Sequence, residues 1–184
     1  MTHILVMVGS LRVASSSAAL ARALVQRLPE GVSADVADIG GLPHYCADDD
    51  GGDTVARLLA QVRDADGVLF VTPEYNYSIP GVLKNAIDWA SRPAYQSAFR
   101  EKSCLVISVS GGAMGGVRAQ AHLKYILNAM LAQVFPFQEV IVPEATKKII
   151  DGTFCDEVTL SFCSKAIEQW TEALRSFPMQ RPAG

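Results

Sequence analysis

Three nearly unbroken apolar runs, Ile4–Val8, Val68–Val71 and Leu105–Val109, set the tightest limit on how this chain can fold. A strand with one wet face alternates apolar and polar residues; a run without alternation belongs to a strand covered on both faces, as in a parallel sheet between helices. Weaker runs at 33–39 and 137–142 bring the expected strands to five. Helical spacing fills the gaps. Leu20, Leu24 and Leu28 recur every four residues, and Val55, Leu58, Leu59 and Val62 share one face. A further stripe runs through Leu123, Ile126, Leu127, Met130 and Leu131, and a last one through Leu160, Cys163, Ile167, Trp170, Leu174 and Phe177. Strand and helix in strict alternation predict an α/β doubly wound parallel sheet with right-handed crossovers and helices on both faces. With no linker, repeat or low-complexity tract, residues 1–177 are expected to form one domain and 178–184 a frayed, flexible tail.

Composition narrows the partners. A chain of 184 residues with 49% apolar and 19% charged side chains is ordinary globular material, and the net charge of −3 offers no basic field for nucleic acid and no polybasic membrane patch. A small-molecule partner is the expectation. The four cysteines, Cys46, Cys104, Cys155 and Cys163, form no C-x-x-C pair and no metal-ligand spacing with the three histidines. They read as small buried hydrophobes in the reduced state, which suits the cytoplasm. No metal site is expected. The first apolar run is too short for a leader and leads straight into Gly9, and no stretch approaches the ~20 apolar residues of a membrane span.

Chemistry is concentrated where three strands empty into loops. The first loop, Gly9-Ser10-Leu11-Arg12-Val13-Ala14-Ser15-Ser16-Ser17, runs directly into a helix. Hydroxyls at Ser10, Ser15 and Ser17, the Arg12 cation and the free N–H groups of a helix N-terminus together suit a phosphate monoester. The competing reading is a plain N-cap by Ser15 or Ser16 with the other serines solvated. Neither Gly-Lys-Ser/Thr nor G-x-G-x-x-G is present, which points away from ATP and from a dinucleotide and toward a mononucleotide.

The second loop, Pro73-Glu74-Tyr75-Asn76-Tyr77-Ser78-Ile79-Pro80, carries two tyrosines, an amide and a carboxylate between two prolines that stiffen its backbone. It suits a flat, hydrogen-bonding ring, or else it is a structural turn with ordinary aromatics. The third, Ser110-Gly111-Gly112-Ala113-Met114-Gly115-Gly116, has four glycines in seven residues, for close approach to a ligand or for positive φ. In the strand order 2-1-3-4-5 the first, third and fourth strands are neighbours. All three loops then meet in one crevice, at the carboxyl edge where open α/β sheets bind ligands.

Gly9-Ser10-Leu11-Arg12, Pro73 to Gly81 and the Gly-rich stretch before Arg118-Ala119-Gln120 resemble the NADPH-dependent FMN reductase family, most closely its quinone and chromate reductase branch. The likeness runs from about Ile4 to Leu131 and implies a flavodoxin-like fold. It implies that Ser10, Arg12, Ser15, Ser16 and Ser17 hold the FMN phosphate. Pro73, Glu74, Tyr75, Asn76 and Tyr77 would line the isoalloxazine, and Ser110, Gly111 and Gly112 would cover its other edge. The chain departs from the family pattern at Ser17, where asparagine is usual, and at Ala121, where many members carry tyrosine in a region that contributes to a tetramer contact.

The implied activity is that of a cytoplasmic, homodimeric or homotetrameric oxidoreductase. It would take hydride from NADPH or NADH and pass electrons to quinones or to azo, nitro, chromate or free-flavin acceptors. No protein acid, base or nucleophile is expected, because the cofactor carries the chemistry. Glu74 and Arg118 read as an ion pair spanning subunits, or as solvated charges, with Arg118 alternatively attracting the donor's phosphates; His122 reads as a surface or partner residue. The alternative from another class is a flavodoxin-like electron-transfer protein that binds FMN without using NAD(P)H.

Overall fold

The computed structural model describes residues 1–176. Its strands are β1 (Thr2–Val8), β2 (Val32–Val36), β3 (Gly67–Thr72), β4 (Ser103–Val109), β5 (Gln133–Val134) and β6 (Val140–Val142), all in one sheet, followed by a small hairpin of β7 (Ile149–Ile150) and β8 (Thr153–Phe154). Helices α1 (Ser16–Val25), α2 (Gly52–Asp64), α3 (Gly81–Ala90), α4 (Val117–Ala129) and α5 (Glu157–Ser176) alternate with the strands. The order is β2-β1-β3-β4-β5, with every pairing in the main sheet parallel. This is the doubly wound parallel sheet that the apolar runs predict, in the flavodoxin-like order that the resemblance implies. Phe177 and the tail at 178–184 lie outside the described residues.

The fifth position differs from the expectation. A single strand at 137–142 was expected, but β5 and β6 both pair with β4, one after the other along the same edge. Pro136 falls between them. Its ring has no N–H to give to the ladder, so pairing stops and resumes at Val140.

The central strands show why they must be covered on both sides. Leu5, Met7, Val68, Phe70, Cys104 and Val106 point to one face and pack with Leu58, Val62, Leu83, Ile87, Leu123 and Leu127 from α2, α3 and α4. Ile4, Val6, Leu69, Val71, Leu105 and Ile107 point to the other, against Leu20, Leu24, Leu160, Ile167 and Trp170 from α1 and α5. Each such side chain contributes roughly 1.5–3 kcal/mol on burial, and the period-2 alternation divides them evenly between two cores.

The cysteines split. Cys104 and Cys163 are buried, and burial pushes both thiols well above their ordinary range, Cys163 to about 12. Cys46 and Cys155 are exposed, against expectation, because both lie in connections outside the sheet and its helices.

Register places the loops. Val8 pairs with Val71 and Val71 with Ile107, so β1, β3 and β4 end almost level. Gly67 fixes the opposite end: a Cβ there would lie 2.5 Å from Trp170 Cζ2 and 3.1 Å from the Ser103 carbonyl. Trp170 cannot easily retreat, since it is fully buried and its indole N–H donates to Ser103 Oγ at 2.9 Å. Gly67→Ala is therefore expected to lower stability by about 1–3 kcal/mol through overpacking, read as a fall in the urea midpoint with an unchanged m value.

Candidate functional site

The chain leaves β1 at Gly9, where a Cβ would come within 2.4 Å of Thr72 Oγ1, so only glycine lets the ends of β1 and β3 close together. Ser10 follows, its hydroxyl 3.2 Å from the Tyr75 hydroxyl, a bridge from the first loop to the second. The Arg12 N–H donates to Ser10 Oγ at 3.4 Å. The Arg12 side chain is exposed and makes no ion pair among the described residues. Ser15 is the N-cap of α1, its Oγ accepting from the Ala18 N–H at 3.2 Å. The N-cap reading thus holds for Ser15 and leaves its hydroxyl proton available. Ser16 and Ser17 open the helix, Ser17 buried, and their N–H groups are among those that no carbonyl within a helix can satisfy.

The second loop is a built turn. Tyr75 and Ser78 exchange two backbone hydrogen bonds, Tyr75 N–H to Ser78 O at 3.0 Å and Ser78 N–H to Tyr75 O at 3.1 Å. Asn76 and Tyr77 between them both have positive φ, 48° and 67°, the I′ pattern. Asparagine tolerates this backbone; tyrosine does so at a cost on the order of 1 kcal/mol or more. The result is a stiff tongue with Tyr75, Asn76 and Tyr77 exposed.

Three contacts from α4 hold that tongue. Glu74 takes a hydrogen bond from the Arg118 guanidinium, Nη1 to Oε1 at 2.9 Å, while its Oε2 accepts from the backbone N–H groups of Arg118 at 3.0 Å and Ala119 at 3.4 Å. Arg118 also lies over the Tyr77 ring, Cζ 4.3 Å from the centroid. One turn on, His122 Nδ1 is 3.0 Å from Ser78 Oγ. Both charges of the Glu74–Arg118 pair thus meet within one chain, where the sequence suggested a bond between subunits. Burial works against the charge on Glu74, but the Arg118 guanidinium and the two N–H groups outweigh it and hold the carboxyl below the usual range. The carboxylate is committed to α4, so Glu74 serves as the tie behind the Tyr-Asn-Tyr loop.

The third loop divides its glycines between two tasks. Gly115 and Gly116 have positive φ, and a Cβ on Gly115 would sit 2.2 Å from Ile141 Cγ2, so backbone and packing both demand glycine. Gly111 and Gly112 need no such backbone; they are exposed and present bare peptide groups. Ser110 Oγ accepts from the Gly112 N–H at 3.0 Å. The loop is latched to the chain beyond β6, Glu144 N–H to Gly112 O at 3.1 Å and Ala145 N–H to Ser110 O at 2.9 Å. Thr146 stands beside Gly111, within 3.4 Å of where a Cβ would be. This flanking segment was missed in the sequence, where Pro143-Glu144-Ala145-Thr146 looks like any connection; only pairing over more than thirty residues brings it here.

All thirteen predicted site residues therefore lie on three loops or in the first turn of α1, at one end of the sheet. Two direct bonds, Ser10–Tyr75 and Glu74–Arg118, link the first loop to the second and the second to α4. A helix N-terminus with hydroxyls and an exposed cation at one end, and a tongue opposite bare glycine backbone at the other, can hold an anionic group joined to a flat ring.

A family model described as NADPH-dependent FMN reductase matches residues 2–147. The 2-hydroxy-1,4-benzoquinone reductase of a Burkholderia species is 53% identical over 94% of this chain and 96% of its own length. A quinone reductase of Pseudomonas putida is 47% identical over 90% of each chain. Among solved structures, FerB, a flavoenzyme NAD(P)H:(acceptor) oxidoreductase from Paracoccus denitrificans, superposes with a TM-score of 0.83 at 36% identity, covering 96% of this chain and 98% of its own.

The Glu74 tie has a pH signature. Its pKa is depressed by folding, so its stabilisation is fully present above the ordinary glutamate value of about 4.3 and is lost as pH falls through the lower folded value. Glu74→Gln should cost about 1–2 kcal/mol at pH 7, and its stability curve should converge with that of the parent chain at acid pH, as followed by chemical denaturation from pH 7 to pH 3.

Proposed function

The chain belongs to the NADPH-dependent FMN reductase family, and we propose that the three loops at the carboxyl edge of β1, β3 and β4 are its FMN site. It is an oxidoreductase that uses NAD(P)H and FMN and reduces quinones. The redox chemistry belongs to FMN when bound, taking two electrons from the nicotinamide and delivering them to the acceptor. Overall, NADPH, a proton and a quinone become NADP⁺ and a hydroquinone. Acceptors in the wider range are ring-hydroxylated quinones, in line with the Burkholderia relative, and azo, nitro, chromate or free-flavin compounds.

The donor set fits the cofactor. Ser10, Ser15, Ser16, Ser17 and Arg12 surround the α1 N-terminus, where a phosphate dianion meets fixed N–H dipoles and an uncompensated cation. Pro73 to Tyr77 form one wall for the ring, with N–H groups of a rigid turn available to its oxygens. Ser110, Gly111 and Gly112 form the other wall, where the two bare glycines leave room for a flat group. The chain thus binds and orients; no side chain at the site is required to move a proton. If donor and acceptor share the cavity over the ring, they must bind in turn, and ping-pong kinetics follow.

Residues 1–177 act as one FMN-binding unit in this reading, working in the cytoplasm as a homo-oligomer. The observation that carries the proposal is the meeting of a phosphate-type helix N-terminus with a stiff Tyr-Asn-Tyr tongue across neighbouring strands, closed by the Ser10–Tyr75 bond.

Anaerobic addition of NADPH to the FMN-loaded protein should bleach the visible flavin bands rapidly. A bound flavin that stays yellow would instead identify an electron-transfer protein with another reductant. Arg12→Ala should weaken FMN binding about tenfold or more, the loss of one charge-assisted contact, while thermal unfolding of the apo-protein stays put; unchanged FMN affinity would remove Arg12 from the site.

A further inference from the structure

Arg118 sits at the wrong end of a helix for a cation. It is the second residue of α4, whose first turn holds no acidic side chain. There the backbone dipole presents its positive end, and acidic residues are the stabilising choice. The chain offsets the charge with Glu74 from another loop, but one carboxylate then faces both a guanidinium and a helix N-terminus. Burial separates the partners further: the Glu74 side chain is 13% exposed and that of Arg118 40%. Both Glu74 oxygens are taken, by Arg118 Nη1 and by two N–H groups of α4. The anion is turned inward and consumed. The Arg118 side chain keeps the larger share of exposed surface.

That guanidinium is also held in place. Glu74 fixes one edge, and the Tyr77 ring lies against its face at 4.3 Å. Tyr77 is itself set by the positive-φ turn, whose flank at Ser78 contacts His122. A side chain so restrained has little rotamer entropy left to lose on gripping a ligand.

We propose that Arg118 is a specificity residue that reads an ionised oxygen on the electron acceptor and directs the enzyme to acidic quinones, those with a hydroxyl on the quinone ring. This rests on the reductase reading above. A hydroxyl on the quinone double bond is conjugated to a carbonyl, so it behaves as a vinylogous carboxylic acid and is ionised at neutral pH. The charge is spread over two oxygens, a target suited to a guanidinium fork. A neutral quinone offers only carbonyl acceptors to the same group and gains less. In the reaction the quinone anion takes a hydride equivalent from NAD(P)H together with two protons, leaving the neutral triol and NAD(P)⁺.

The test uses FMN-loaded wild type, Arg118→Gln and Arg118→Lys with 2-hydroxy-1,4-naphthoquinone and 1,4-naphthoquinone. Equilibrium dialysis against the oxidised protein reads binding alone. The ratio of kcat/KM for the two quinones with NADPH reads discrimination, and general damage to folding or flavin cancels from it. Arg118→Gln should weaken binding of the hydroxyquinone about tenfold or more and lower the ratio by a similar factor, and Arg118→Lys should recover part of both. Equal losses on both quinones would overturn the proposal in favour of a structural role. A loss confined to kcat/KM for NADPH would overturn it in favour of the donor's phosphate. Wild-type flavin that NADPH fails to reduce would sink the reductase reading, and the dialysis comparison would still decide whether Arg118 recognises the anion.

Discussion

A single carboxylate holds the working end of this molecule together. The sheet brings the second loop and the start of α4 close, and Glu74 ties the two together, accepting from two N–H groups at the head of α4 and from the Arg118 side chain. The turn that follows needs such an anchor, because tyrosine at φ 67° is not a conformation the backbone keeps unaided. Arg118 then acts twice, as the carboxylate's partner and as a plate over Tyr77. Several weak contacts, each about 0.5–1.5 kcal/mol by itself, are arranged so that each makes the next geometrically possible.

Much of this was legible from residue order. The unbroken apolar runs required strands covered on both faces, and the alternating helices left a doubly wound sheet as the arrangement that covers them. Once β1, β3 and β4 are neighbours, the serine loop, the Tyr-Asn-Tyr loop and the glycine loop have to share one edge. What stayed hidden depends on contacts far apart in sequence. Glu74 and Arg118 were visible as unusual charges, yet their bond within one chain was not, since 44 residues separate them. The glycines of the third loop looked alike on paper; only the backbone shows that Gly115 and Gly116 serve the fold while Gly111 and Gly112 stand open. The segment from Pro143 to Thr146 carries no local signal at all, because its place beside Ser110 is set by how β6 pairs with β4.

The serines show two readings coexisting. Ser15 caps α1 in the ordinary way, which was the competing explanation for the whole stretch. A cap, however, uses one acceptor lone pair and leaves the hydroxyl proton, and it holds the first turn so that the remaining N–H groups share one direction. A helix start that is well capped is therefore also a better anion receptor.

The break at Pro136 has a consequence at the level of the crowded cell. The last strand position is filled by two short pieces, of two and three residues, with a proline between them. The far edge, β2, is only five residues long and ends in the exposed Asp35 and Val36. Neither margin offers the long, flat row of free peptide groups along which a stray chain could zip into a growing fibril. The margins of the sheet are left as poor templates for amyloid-like growth.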